Sequence, residues 1–362
     1  VYAYLVWFFF TSVTSTMPVV SFKALTCRLW FITIFYFLAA IVFAKKENIV
    51  RYIWAYCLAM MVVVIVTLIK HSAYFFDHSS AYTIMKPFFD DHTSYGAALA
   101  LLIPPMVAVM FLTRNNVNVY FLTGVVVVIL LLGVIFSYTR AAWVGLALAA
   151  VVLAIILLKI KFRTIIIVVT VFATLIIPMR TELYFMMKGN KTDSSTNFSS
   201  HVESMSNIST DQSNVERLNR WSCAWRMFLD KPIVGYGPGT YMFKYGSYQR
   251  SWERSQISTN AADLGNAHSE YLGPLAEEGF LGPLLFLCVI ITTIYTALKV
   301  ISHSRNKKTR VLAISFMLAL ITYYLHGIMN DFLDLDKITA LFWGFTAAIV
   351  ALDIYHFQED KV

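Results

Sequence analysis

The strongest constraint on this chain is a succession of apolar runs, each close to the length of helix that crosses a bilayer. The hydrocarbon core is roughly 30 Å thick and takes on the order of 20 residues of helix. Such runs fall at about 1–11, 28–44, 51–69, 94–113, 117–137, 141–159, 163–180, 280–300, 311–329 and 338–355. The first is short, and Val1 lies inside it with neither an initiator Met nor a basic leader, so the sequence reads as missing N-terminal spans. Hydrophobic residues make up 58% of the chain and charged ones 14%, against roughly a quarter charged in soluble domains. A water-soluble globule could not hide that much apolar surface. The expected fold is an all-α polytopic membrane protein with about ten transmembrane helices and one long external segment containing short helices.

The net charge of +8 could suggest a nucleic-acid partner, but its distribution excludes that reading. Lys and Arg gather in short connections: Lys45 to Arg51, Arg114, Lys159 to Arg163, and Lys299 to Arg310. Alternate crossing puts all of these on one side, which the positive-inside rule makes cytoplasmic. The other side then receives Asp77 to Asp91, the long segment 181–279, and the turn Asn330 to Asp336. Three regions follow: N-terminal spans over 1–180, an external loop region over 181–279, and C-terminal spans with a cytoplasmic tail over 280–362. Cys27, Cys57, Cys223 and Cys288 are scattered and suit neither a disulfide framework nor a zinc site. Gly189 to Asn214 is rich in Ser, Thr and Asn and reads as flexible. Its three Asn-x-Ser/Thr tripeptides, at Asn190, Asn197 and Asn207, are short enough to be chance in such a stretch.

Three polar constellations fall on the external side. Ser137-Tyr138-Thr139-Arg140-Ala141-Ala142-Trp143 sits in a very short turn between two apolar runs. An arginine at an interface can snorkel, yet on the external side a retained Arg is better aimed at an anion, which its planar fork binds bidentately. Next, Val215 to Leu229 has Leu218, Trp221, Trp225 and Phe228 at helical spacing, with Arg217 and Arg220 among them, before Pro232 and a glycine-rich turn. An amphipathic helix lying on head groups explains that spacing equally well. Its Gly-x-Gly-x-Gly run follows no strand, so it is not a dinucleotide site. Last, His268 stands just before the chain re-enters the membrane, with Ser269, nine residues to Glu278, and Gly279-Phe280-Leu281-Gly282. A histidine can accept a proton near neutrality. The polar stretch His326 to Lys337 lies on the same face and is set aside as an acidic turn.

Together these pieces resemble the O-antigen ligase/polymerase superfamily. Its hallmarks are a His, an Asn, Ser or Gln, nine residues and Gly-x-x-Gly; an Arg at the external start of a span; and an Arg four residues before a Trp, ahead of Asp-x-Pro-x-x-Gly-x-Gly. Arg217, Trp221 and Asp230 through Gly237 fit the last of these, and the resemblance covers roughly 90–355. The family has about a dozen spans, more than this chain offers. The resemblance implies a donor glycan on undecaprenyl diphosphate in the inner membrane of a Gram-negative bacterium. The site would face the periplasm, and the acceptor would be lipid A-core or another hydroxyl. It implies His268 as general base, Arg140 and Arg217 on the diphosphate with Arg220 as a weaker third, no cofactor, no metal and no nucleotide. A polymerase or a protein O-oligosaccharyltransferase of the same superfamily would differ in acceptor. A polysaccharide transporter or flippase, the reading from another class, would instead place charges or helix breaks at mid-depth; Pro104 and Pro105 are the main such feature.

Overall fold

The protein is described by a computed structural model covering residues 1–161, 212–253 and 265–357, with the single positions 163, 164, 170, 174 and 258. The span expected at 163–180, most of the Ser/Asn-rich stretch and its three tripeptides lie outside the described residues. Among those residues the regular structure is helical, without strands. The helices are α1 Tyr2–Val13, α2 Pro18–Val42, α3 Lys46–Ser72, α4 His92–Leu112, α5 Val117–Phe136 and α6 Arg140–Leu157. They continue with α7 Gln212–Asp230, α8 Leu272–Glu278, α9 Leu281–His303, α10 Lys307–Met329 and α11 Asp336–His356. Eight of them, all but α1, α7 and α8, are long and apolar enough to cross a membrane. The chain is a multi-pass membrane protein.

Every expected span on described residues is helical there, and α1 is the short apolar helix that the first run suggested. The difference is α2, which begins at Pro18 rather than near 28. Pro18 takes the first helical position, where its missing N–H costs nothing. Lys23 and Arg28 interrupt the apolar run and hid this start. Arg28 is accommodated by an ion pair to Asp334 at 3.0 Å, with its guanidinium over the Phe8 ring. Asp91 caps α4, its Oδ1 accepting from the N–H groups of Thr93 and Ser94 at 2.7 and 2.8 Å. Asn116 and Asn306 cap α5 and α10 in the same way. Pro104 and Pro105 sit inside an α4 that runs on without a break.

The most enclosed spans, α4, α10 and α11, form the centre, with α10 packed against both α4 and α6. Phe316 and Tyr323 of α10 pack on Phe345 and Phe342 of α11, and Trp343 packs on Tyr36 of α2. Helix ends sort into two faces. On one, His356 meets the Phe43 carbonyl, Lys299 pairs with Asp353, and Lys307 covers Phe111; Lys45, Arg114 and Arg310 belong to the connections on this basic face. On the other, Tyr138 bonds to Phe76, Thr139 to His92, Glu270 to Gly327, and Arg217 to Met329. This second face gathers the connections that carry all three polar constellations.

Candidate active site

The glycine-rich turn after α7 and the Gly-x-x-Gly entry to α9 are two halves of one joint. Gly237 N–H donates to the Glu277 carbonyl at 2.7 Å, Tyr236 N–H to Ala276, and Phe280 N–H to Pro232. The Glu277 carboxylate accepts from Gly239 and Tyr241 N–H at 2.9 and 2.8 Å. Gly279 has φ 70 and ψ −166, a region that is essentially glycine-only. A Cβ there would collide with the Ile233 carbonyl, and one on Gly235 with the Glu277 backbone. The glycines therefore allow close approach of two backbone segments rather than phosphate binding. Gly279→Ala is expected to destabilise the detergent-solubilised protein by about 1–3 kcal/mol, read as a fall in melting temperature, whereas Phe280→Ala leaves this joint intact. Asp230, the acid of the same turn, accepts from the Tyr236 and Tyr248 hydroxyls and fixes its outer edge.

This joint holds α7 over the helix ends. Arg217 and Trp221 are four residues apart and share a face. Trp221 Nε1 donates to the His268 carbonyl at 3.4 Å, and Arg217 Nε to the Met329 carbonyl at 3.2 Å. Arg220 is employed differently. It is 4% exposed, its Nε donates to Glu216 at 2.7 Å, and its guanidinium lies 4.0 Å over the Tyr245 ring.

His268 adopts φ 50, the left-handed region that a non-glycine residue enters at a cost. Two contacts hold it there: the Trp221 bond and a clamp made by Glu270. Glu270 N–H donates to the Gly327 carbonyl at 2.8 Å, while its Oε1 accepts from Tyr323 OH, Phe332 N–H and Leu333 N–H at 2.5, 2.7 and 2.8 Å. Burial first, then the positive charges of Arg217 and Arg220, push the His268 imidazole down to about 4. It is therefore neutral near pH 7 and able to accept a proton. Burial pushes the Glu270 carboxyl up to about 7.

Arg140 opens α6. The preceding turn is tied to α4 by Thr139 Oγ1, which donates to the His92 carbonyl at 2.7 Å, and to the α3–α4 connection by Tyr138 OH, which donates to the Phe76 carbonyl at 3.0 Å. Tyr138, like His268, is a left-handed non-glycine residue, with φ 51. Through Thr139 and His92 the start of α6 meets the first turn of α4, and through Met329 and Gly327 the segments that carry Arg217 and His268 meet the last turn of α10. The structure thus brings Arg140, Arg217 and His268 together around the first turn of α4 and the last turn of α10. Arg220 stands behind them.

Asp91, His92, Trp221, Glu270 and His326 were not singled out from the sequence as site residues. Asp91-His92-Thr93-Ser94 carries a readable helix-start signature. His326 lay in the segment set aside as an acidic turn. Glu270 gave no signal, because its partners come 53 residues or more later in the chain. Two fixed cations beside a neutral imidazole can stabilise a phosphorylated leaving group while a hydroxyl loses its proton.

Comparison with known proteins accords with this geometry. The family model for O-antigen ligase matches residues 125–287, a segment that holds Arg140, Arg217, Arg220, His268 and both halves of the glycine joint. A Rickettsia conorii protein named "Putative polysaccharide ligase" is 29% identical over 127 residues, 34% of this chain and 28% of that relative's length.

Proposed function

We propose, from that likeness and this geometry, that the chain transfers a glycan from undecaprenyl diphosphate to lipid A-core on the periplasmic face of the inner membrane. The observation that carries the reading is the placement of Arg140, Arg217 and a neutral His268 at helix ends on one face, opposite the basic one. In the reaction the acceptor oxygen attacks the anomeric carbon and the bond from that carbon to the diphosphate oxygen breaks. The electron pair leaves with the lipid diphosphate, and the hydroxyl proton goes to His268. Charge grows on the departing diphosphate, where Arg140 and Arg217 stabilise it, as pre-positioned donors do at developing anions. The donor is already activated, so the step draws on no nucleotide and on no metal ion.

A polymerase or a protein O-oligosaccharyltransferase would use the same groups with a different hydroxyl. Against a transporter stands the make-up of the central spans: the middles of α4, α10 and α11 carry no charged side chain, and Pro104 and Pro105 leave α4 unbroken. The test is transfer by purified protein in nucleotide-free, chelator-containing buffer. The lipid-linked donor is supplied with lipid A-core, peptide or lipid-linked glycan as separate acceptors. Glycosylated lipid A-core is the expected product. Product on another acceptor alone would reassign the acceptor, and none on any would sink the reading.

A further inference from the structure

His326 is a polar side chain that neither the fold nor the proposed base and diphosphate contacts employ. It is 1% exposed, and neither ring nitrogen has a hydrogen-bond partner among the described residues. Burying such a group unpaired is costly, so it marks a place where a partner arrives. Two neighbouring carboxylates are already engaged. Glu270 Oε1 is taken by Tyr323 OH and two backbone N–H groups, and the Asp91 carboxylate by the start of α4. The ring lies parallel to that of Tyr323, with planes 6° apart and centroids 6.5 Å apart, and is tilted against Phe332 at 5.5 Å between centroids. Its orientation is therefore set by packing, not by a bond.

Its position is informative. The next residue, Gly327, receives the Glu270 N–H, two residues beyond His268, and Met329, one turn along, receives Arg217. His326 thus lies beside the contact that holds the His268 loop and within one turn of the contact that holds Arg217. A neutral imidazole offers one donor and one acceptor, which is the complement of a hydroxyl and not of a phosphate.

We propose that His326 binds a hydroxyl of the acceptor sugar, alongside the one that reacts, once Arg217 leaves the Met329 carbonyl for the donor's diphosphate. This rests on the transfer reaction proposed above and adds an acceptor subsite to it. His326→Phe keeps the ring packing and removes both nitrogens, while His326→Gln and His326→Asn restore a donor and an acceptor. In purified protein given lipid-linked donor and lipid A-core, His326→Phe should raise the acceptor KM at least about tenfold. The donor KM should stay within about twofold, and one of the amide variants should recover most of the loss. Melting temperatures near wild type for the Phe variant separate binding from packing; should that variant fold poorly, His326→Leu, which also lacks both nitrogens, carries the same comparison. An unchanged acceptor KM in active, folded His326→Phe overturns this subsite alone. Wild-type protein that transfers to no acceptor overturns it together with the reaction on which it rests.

Discussion

His268→Asn should lower the rate of glycan transfer by about 10²–10⁴-fold, the usual contribution of a general base, in a protein that still folds. Asn is the informative replacement because the position has φ 50, and asparagine tolerates the left-handed region where most side chains do not. Ala would combine lost chemistry with backbone strain. The pH dependence adds a second readout. With the imidazole of the free enzyme held down to about 4 by burial and then by Arg217 and Arg220, kcat/KM should stay flat from pH 8 down to about 5 and fall only near about 4. Bound diphosphate sets negative charge against the same arginines, so the acid limb of kcat should lie at higher pH than that of kcat/KM. These two profiles report the complex and the free enzyme respectively. An acid limb at the ordinary histidine value in the free enzyme would remove His268 from the role of base.

Arg217→Gln and Arg140→Gln should each cost about 10²–10³-fold in kcat, the typical effect of deleting a donor to a developing anion. Arg217→Gln carries an additional signature. It removes the largest positive charge acting on His268, so the imidazole becomes easier to protonate and the acid limb of kcat/KM moves up. Arg220 should sort differently in the same series. Its pairing with Glu216 is buried, and removing one member of a buried pair typically costs about 3–5 kcal/mol of stability. Arg220→Gln should therefore lower the melting temperature more than it lowers the rate of the molecules that remain folded. Transfer rates and melting curves measured on the three variants side by side decide the assignment, and equal rate losses with equal stability would merge Arg220 with the other two.

The spans were legible because lipid allows a simple code: length and apolar continuity suffice, and α3 to α6 and α9 to α11 follow it. The start of α2 was not legible, since Lys23 and Arg28 break continuity and the Asp334 that pairs with Arg28 lies 306 residues away. His268, Arg140 and Arg217 could be chosen from the sequence because charge on the non-basic side of a membrane protein needs a reason. That the two glycine motifs would join each other could not be read from either alone; the collision that a Cβ would cause appears only when Gly279 meets Ile233. The resemblance already set Arg220 below Arg217, three residues away on one helix, but the physical reason was hidden. It depends on Glu216 and Tyr245, and so on which way α7 is turned.

The joint that carries the site is also tied to the far ends of the chain. Thr16 N–H donates to the Tyr236 carbonyl at 2.9 Å, and Ser21 Oγ to that of Pro238 at 2.8 Å. The Glu270 clamp in turn waits for Phe332 and Leu333. Synthesis therefore sets an order: the α1–α2 hairpin is laid down before α7, and the loop that presents His268 gains its last anchors only when the connection to α11 has left the ribosome. A chain that stops short of that connection can fill membrane, but the His268 loop then lacks the anchors that Phe332 and Leu333 give to Glu270.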